Sequence, residues 1–241
     1  MALLEVNSVS KSFGALRAIN DVTFTIEEGE IFGIAGPNGS GKSTLFNVIS
    51  KIPFGPDTGT ILFNGSRLKA QSAHAVVRRG LVRTFQREMT FESLNIYENA
   101  LLGAQYGGVA VPPAEVRDVL LLVGFREADF SKSARNISVF DRKRLMLASA
   151  VACRPKLILL DEPASGLTKP EIDQLIALVL DIHSRRISIA LIEHVLPFLM
   201  ALSKRLMVLN NGGVIAIGEP HEVMKDPAVS EAYLGARKVA A

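Results

Sequence analysis

Leu3 to Val9 and Val22 to Ile26 alternate apolar and polar side chains. That period belongs to half-buried strands and predicts an antiparallel layer. The pattern changes after the turn Glu28-Gly29-Glu30, where Ile31-Phe32-Gly33-Ile34-Ala35 is continuously apolar. Such a run suits a strand covered on both faces, as in a parallel sheet. Leu157 to Leu160 and Ile187 to Ile192 repeat it, while Ser43 to Ser50 and Glu171 to Leu180 read as helices. Ile61-Leu62-Phe63 runs into the turn Asn64-Gly65, and Leu206 to Leu209 forms a hairpin with Val214 to Ile217. From about Phe91 to Leu147 there is no strong strand pattern; Val116 to Val123 reads as helix, behind a loop at Val111-Pro112-Pro113. Strands alternating with helices predict an α/β fold with a parallel core and right-handed crossovers. An antiparallel β layer and an inserted helical subdomain complete it. The chain reads as one domain over 1–241, with its core at 1–87 and 149–241 and the helical subdomain at about 88–148.

Composition narrows this picture only a little. The 241 residues are 48% hydrophobic and 21% charged, which suits a single folded domain and excludes a disordered chain. A net charge of +3 singles out no partner. The first residues, Met1-Ala2-Leu3-Leu4-Glu5, lack a signal-peptide pattern. No uncharged apolar run reaches the about 18 residues of a membrane span. The nearest, Ile187 to Met200, is broken by Glu193, His194 and Pro197. If the chain serves transport, another chain must supply the membrane path. Cys153 is the one cysteine and lies in an apolar run, which reads as a buried structural thiol in a reducing compartment.

The chemistry begins at Gly36-Pro37-Asn38-Gly39-Ser40-Gly41-Lys42-Ser43-Thr44, which matches G-x-x-x-x-G-K-[ST] between a buried strand and a helix. Glycines let the backbone curl until several N–H groups point at phosphate oxygens, and the helix start adds its positive dipole end. Lys42 then reaches the β- and γ-phosphates, Ser43 offers a hydroxyl to Mg²⁺, and Thr44 bonds a phosphate oxygen. A second signal is the apolar strand Leu157 to Leu160 ending in Asp161-Glu162-Pro163. Asp161 there holds Mg²⁺ through water, and Glu162 polarises the attacking water as general base. The two motifs together read as a P-loop NTPase. No Asn-Lys-x-Asp motif supports a GTPase.

Gln86 after Arg83-Thr84-Phe85, and His194 after the strand ending at Ile192, complete a pattern that resembles the ATPases of ABC transporters. The resemblance covers essentially the whole chain. It implies that Gln86 senses Mg²⁺ and the γ-phosphate and couples them to a membrane partner, and that His194 contacts the γ-phosphate. It also places Phe13 where an aromatic stacks on adenine, with a core phenylalanine as the competing reading. Ile137-Ser138-Val139-Phe140-Asp141 stands where the family carries Leu-Ser-Gly-Gly-Gln. By the resemblance, Ser138 contacts the γ-phosphate held by the opposite subunit of a head-to-tail dimer. Phe140 is the main departure. It either crowds the phosphate and forbids the loop's backbone angles, so that the site borrowing this signature is weak, or it points away. Thr168, in the loop after Glu162, replaces an acid or Asn.

Arg79 to Gln86, Glu193 before His194, and the tail from Gly218-Glu219-Pro220 to Glu231-Ala232-Tyr233-Leu234-Gly235 resemble the ATPases of branched-chain amino acid importers. That implies Mg-dependent ATP hydrolysis at the cytoplasmic face of the membrane. It also implies permease subunits, a second ABC ATPase chain or a second copy of this one, and an indirect periplasmic binding protein. Urea importers, lipopolysaccharide exporters and non-transport ABC ATPases remain alternatives. Nucleic acid is not an expected partner.

Overall fold

The computed structural model describes residues 1–68, 72–86, 90–108 and 111–239, and of 234–239 the backbone only. In chain order the first elements are β1 (Ala2–Phe13), β2 (Leu16–Glu27), β3 (Ile31–Ala35), α1 (Lys42–Ser50), β4 (Thr58–Phe63), β5 (Ser66–Arg67) and α2 (Ala73–Arg78). Next come β6 (Leu81–Arg83), α3 (Ile96–Tyr106), α4 (Pro113–Leu122), α5 (Val139–Ala152), β7 (Leu157–Asp161) and α6 (Lys169–Ser184). The last are β8 (Ser188–Ile192), α7 (Leu196–Leu202), β9 (Arg205–Asn210), β10 (Gly213–Gly218), α8 (Pro220–Lys225) and α9 (Pro227–Val239). They form two compact units, Met1–Ala73 with Ser188–Ala241, and His74–Ile187.

The first unit contains an antiparallel sheet in the order β2-β1-β4-β5. Its strands alternate as the sequence does: Val22, Phe24 and Ile26 are buried while Thr23 is exposed. The same unit holds β3 between β8 and β9, parallel to both, with β10 antiparallel to β9. Every residue of β3 and of β8 is buried, which is why both read as unbroken apolar runs. Glu30, 3% exposed, holds the Arg205 guanidinium at 2.6 Å and ties the start of β3 to β9.

In the second unit β6 runs parallel to β7, pairing Leu81 with Leu157 and Arg83 with Leu159. Helix α3 packs on α5 so closely that a Cβ at Gly103 would lie 2.4 Å from the Ser149 carbonyl oxygen. Cys153 is buried there, its thiol donating to the Gly103 carbonyl at 3.0 Å, and burial pushes its pKa up to about 11. Among the described residues no helix is long and apolar enough to cross a membrane.

The structure adds elements that the apolar pattern leaves out. Helix α3 is mixed in composition, and its sequence signal is the reciprocal cap between Asn95 and Glu98 rather than a hydrophobic stripe. Pro113 is the first residue of α4 rather than part of the preceding loop, a position where its missing N–H costs nothing. The boundary read at 87/88 lies outside the described residues. The second unit takes in β6, β7 and α6 along with the helical stretch, because β6 and β7 pair with each other.

Candidate functional site

In the first unit β3 feeds the glycine-rich loop, and α1 leaves it at Lys42. Gly36 has φ +145°, and a Cβ there would fall 2.2 Å from the Leu209 carbonyl oxygen, so only glycine fits. Lys42 is 6% exposed and its ammonium donates to the carbonyls of Gly36 at 2.8 Å and Pro37 at 3.0 Å. The side chain is thus folded over its own loop, and the charge sits where the backbone curls. Ser43, Asn38 and Gly39 are exposed, and Thr44 is half-buried. Ser40 is buried, with no hydrogen-bond partner for its hydroxyl among the described residues. The first turn of α1 carries no acid, which leaves its positive end uncompensated.

Two further residues read from the sequence belong to this unit. Ile34 pairs with Ile192 in parallel register, so His194 follows β8 at the same strand end from which the loop leaves β3. This is where open α/β sheets carry their ligands. The His194 side chain is exposed, while the carboxylate of Glu193 beside it is fully buried and accepts from the amides of His194 and Val195. Phe13 is 44% exposed, so the reading of it as a core residue is set aside. Its ring meets Phe54 edge-on at 5.0 Å, with the Lys11 ammonium 5.4 Å from its centroid.

In the second unit β7 is entirely buried and ends in Asp161. The next residue, Glu162, has φ +48°, uncommon for a residue with a side chain. Backbone strain of this kind clusters at working sites. Gln86 donates its amide to Glu162 Oε2 at 2.6 Å, so the structure brings together two of the residues singled out for catalysis. Asp161 accepts at Oδ2 from Arg83 at 2.7 Å, with both side chains 5% exposed. Its Oδ1 is buried with no hydrogen-bond partner among the described residues. An orphaned carboxylate oxygen is rare in a folded interior and fits a metal's water shell. Arg83 itself escaped the sequence reading; the signal was its place two residues before Phe85, on the strand that pairs with β7.

The segment Ile137 to Asp141 opens α5. Ser138 caps the helix, its hydroxyl accepting from the Asp141 amide at 3.0 Å. Phe140 lies in the first turn with ordinary helical backbone, which corrects the expectation that a side chain here forbids the loop's conformation. Its ring pairs with Arg144, one turn on, at 5.3 Å, and Phe125 stacks on the same guanidinium at 4.6 Å. Arg144 also donates to Asp141 and to the Val123 carbonyl. The ring is thus engaged by the guanidinium one turn further along the helix. Thr168 donates its hydroxyl to Glu171 at 2.7 Å.

A consequence concerns Phe140→Gly. It removes one aromatic face from Arg144, worth about 0.5–1 kcal/mol, and places glycine in a helix at a further cost of about 1 kcal/mol. We expect a melting temperature lower by several degrees and ATP turnover within about twofold of the parent, since Arg144 holds the ring. A several-fold rise in turnover would show instead that the ring obstructs phosphate.

Comparison with known proteins gives the family. The ABC transporter family model matches residues 19–165, and that of the branched-chain amino acid ATP-binding cassette transporter matches 214–239. BraF of Pseudomonas aeruginosa, a high-affinity branched-chain amino acid transport ATP-binding protein, is 33% identical, covering 97% of this chain and 98% of its own. LivG of Escherichia coli, described in the same words, is 34% identical over 97% and 98%. The crystal structure of the ADP conformation of MJ1267, an ATP-binding cassette of an ABC transporter, superposes with a TM-score of 0.89 at 28% identity, covering 98% and 99%. Fold, motifs and relatives converge, and the chain belongs to the ABC transporter family as one of its ATPase subunits.

Proposed function

We propose that this chain is the Mg²⁺-dependent ATPase of an importer for branched-chain amino acids or a similar polar solute, working at the cytoplasmic face of the membrane. The observation that carries the catalytic reading is the Gln86 to Glu162 hydrogen bond at 2.6 Å. A carboxylate oriented by an amide is poised to take a proton from water. The backbone N–H groups of the loop from Gly36 to Thr44, Pro37 excepted, and the Lys42 ammonium hold the phosphates. Phe13 offers an exposed face to adenine, and His194 bonds the γ-phosphate. Asp161, Ser43 and Gln86 hold Mg²⁺, which when bound neutralises charge developing on the phosphates. Ser138 serves the nucleotide of a partner ATPase, either a second chain or a second copy. ATP-dependent closure of that pair moves the permeases, a population shift driven by contacts that only ATP makes.

The solute is supported by the names of relatives and the tail matched at 214–239. The import direction rests on the resemblance of Arg79 to Gln86, of Glu193 before His194 and of the tail to importer ATPases. Purification from detergent-solubilised membranes is expected to bring down two permeases and a second ATPase. Vesicles reconstituted with that complex and a periplasmic binding protein are then expected to move labelled leucine in the import direction on ATP addition. Transport of urea but not leucine, efflux of lipopolysaccharide, or recovery with nucleic acid and no permease would each replace this reading with one of the others.

A further inference from the structure

Arg83 and Asp161 form the most deeply buried ion pair described in the second unit, 2.7 Å long with each side chain 5% exposed. The register explains how they meet. Arg83 on β6 is paired with Leu159 on β7, and Asp161 lies two residues further along the same face. The guanidinium is fixed from another side by the Phe85 ring at 5.0 Å. Only Oδ2 of the carboxylate is engaged, and the buried Oδ1 has no hydrogen-bond partner among the described residues.

We propose that Arg83 is a positioning residue that makes the metal site conditional on nucleotide. This rests on the reading of Asp161 as the metal carboxylate. By holding Oδ2, Arg83 fixes the carboxylate so that Oδ1 faces the metal's water. By its charge, it cancels the attraction that a buried carboxylate exerts on a free divalent cation. Low-dielectric surroundings amplify that cancellation. A divalent cation then gains a place beside Asp161 only when the phosphates bring several negative charges with it. Lysine at position 83 keeps the charge, whereas methionine removes it and leaves the carboxylate buried and unpaired, a strongly destabilising state.

The test is Mn²⁺ binding to the purified chain without nucleotide, read by electron paramagnetic resonance, with melting temperature as a second readout. The wild type and Arg83→Lys are expected to bind no Mn²⁺ in the submillimolar range and to melt at the same temperature with and without it. Arg83→Met is expected to bind at least tenfold more tightly than wild type and to melt lower without Mn²⁺, recovering when the metal is added. Adding Asp161→Asn to Arg83→Met abolishes both effects. Free Mn²⁺ bound tightly by wild type and lost in Asp161→Asn overturns the proposal, and so does an Arg83→Met chain that folds and gains no affinity. If Arg83→Met does not fold, Arg83→Gln takes its place and is held to the same two outcomes, since it keeps a donor to Oδ2 but removes the charge. Mn²⁺–ATP binding separates the two levels of the argument. If Asp161→Asn leaves it unchanged, the reading of the metal site has failed. If Asp161→Asn weakens it but Arg83→Met gains no free Mn²⁺, only the role of Arg83 has failed.

Discussion

Glu162→Gln is expected to lower ATP turnover by about 10²- to 10⁴-fold while ATP remains bound, the range for loss of a positioned general base. That corresponds to about 3–5 kcal/mol of transition-state stabilisation. The substitution is clean because of what Glu162 touches. Gln86 donates to Glu162 Oε2 at 2.6 Å, and a glutamine keeps an acceptor oxygen there. Residue 162 sits at φ +48°, which glutamine tolerates no worse than glutamate. Shape and the bond from Gln86 survive, while the negative charge and the proton affinity are lost. The measurement is single-turnover hydrolysis by the assembled complex, together with ATP retention on a desalting column. ATP is expected to be retained longer by the variant, because the step that releases the γ-phosphate is the one removed. Turnover within fivefold of the parent would move the general base elsewhere. Gln86→Ala is the informative companion: it leaves the carboxylate in place but unoriented, and a smaller loss of turnover is expected, with ATP affinity unchanged when measured without metal.

The sequence reads well wherever a local rule decides. The loop at Gly36 to Thr44 is legible because a Cβ at Gly36 meets the Leu209 carbonyl, so the residue types are dictated by backbone geometry. β3 and β8 are legible because both faces are covered, and β1 and β2 because one is. What escaped is what depends on partners distant in the chain. Arg83 and Asp161 are 78 residues apart, and nothing local marks Arg83 as the counterion of a carboxylate. Phe140 is the reverse case. Its identity breaks the family's glycine pattern, yet its meaning lies in Arg144 and Phe125, which turn an apparent intrusion into a clamp along the helix. Phe13 was ambiguous for a related reason, since a strand's alternation says which face a residue takes but not whether that face is covered at its end.

Lys42→Ala is expected to weaken ATP binding by about 10²-fold or more. A charge-assisted hydrogen bond contributes about 1.5–3 kcal/mol, and the lysine reaches two phosphates. In the structure Lys42 is 6% exposed and its ammonium is held by the carbonyls of Gly36 and Pro37 at 2.8 and 3.0 Å. Those two bonds fix the charge before any phosphate arrives, so little side-chain entropy is lost on binding. The effect has a signature that distinguishes it from general damage to the loop. Lys42 acts at the β- and γ-phosphates, so affinity for ATP and ADP falls while the weak affinity for AMP changes little. Calorimetry with the three nucleotides in the absence of metal reads this directly. Melting temperature is expected to change little, since water can serve the two carbonyls once the ammonium is gone. Lys42→Arg is not expected to rescue. A planar fork on a different stem cannot place a point charge against both carbonyls. Equal losses for ATP and AMP would mean that Lys42 shapes the loop rather than reading the phosphates, and arginine rescue would mean that charge alone suffices. The first result would move phosphate recognition onto the backbone amides and the start of α1, whose first turn carries no acid to oppose it.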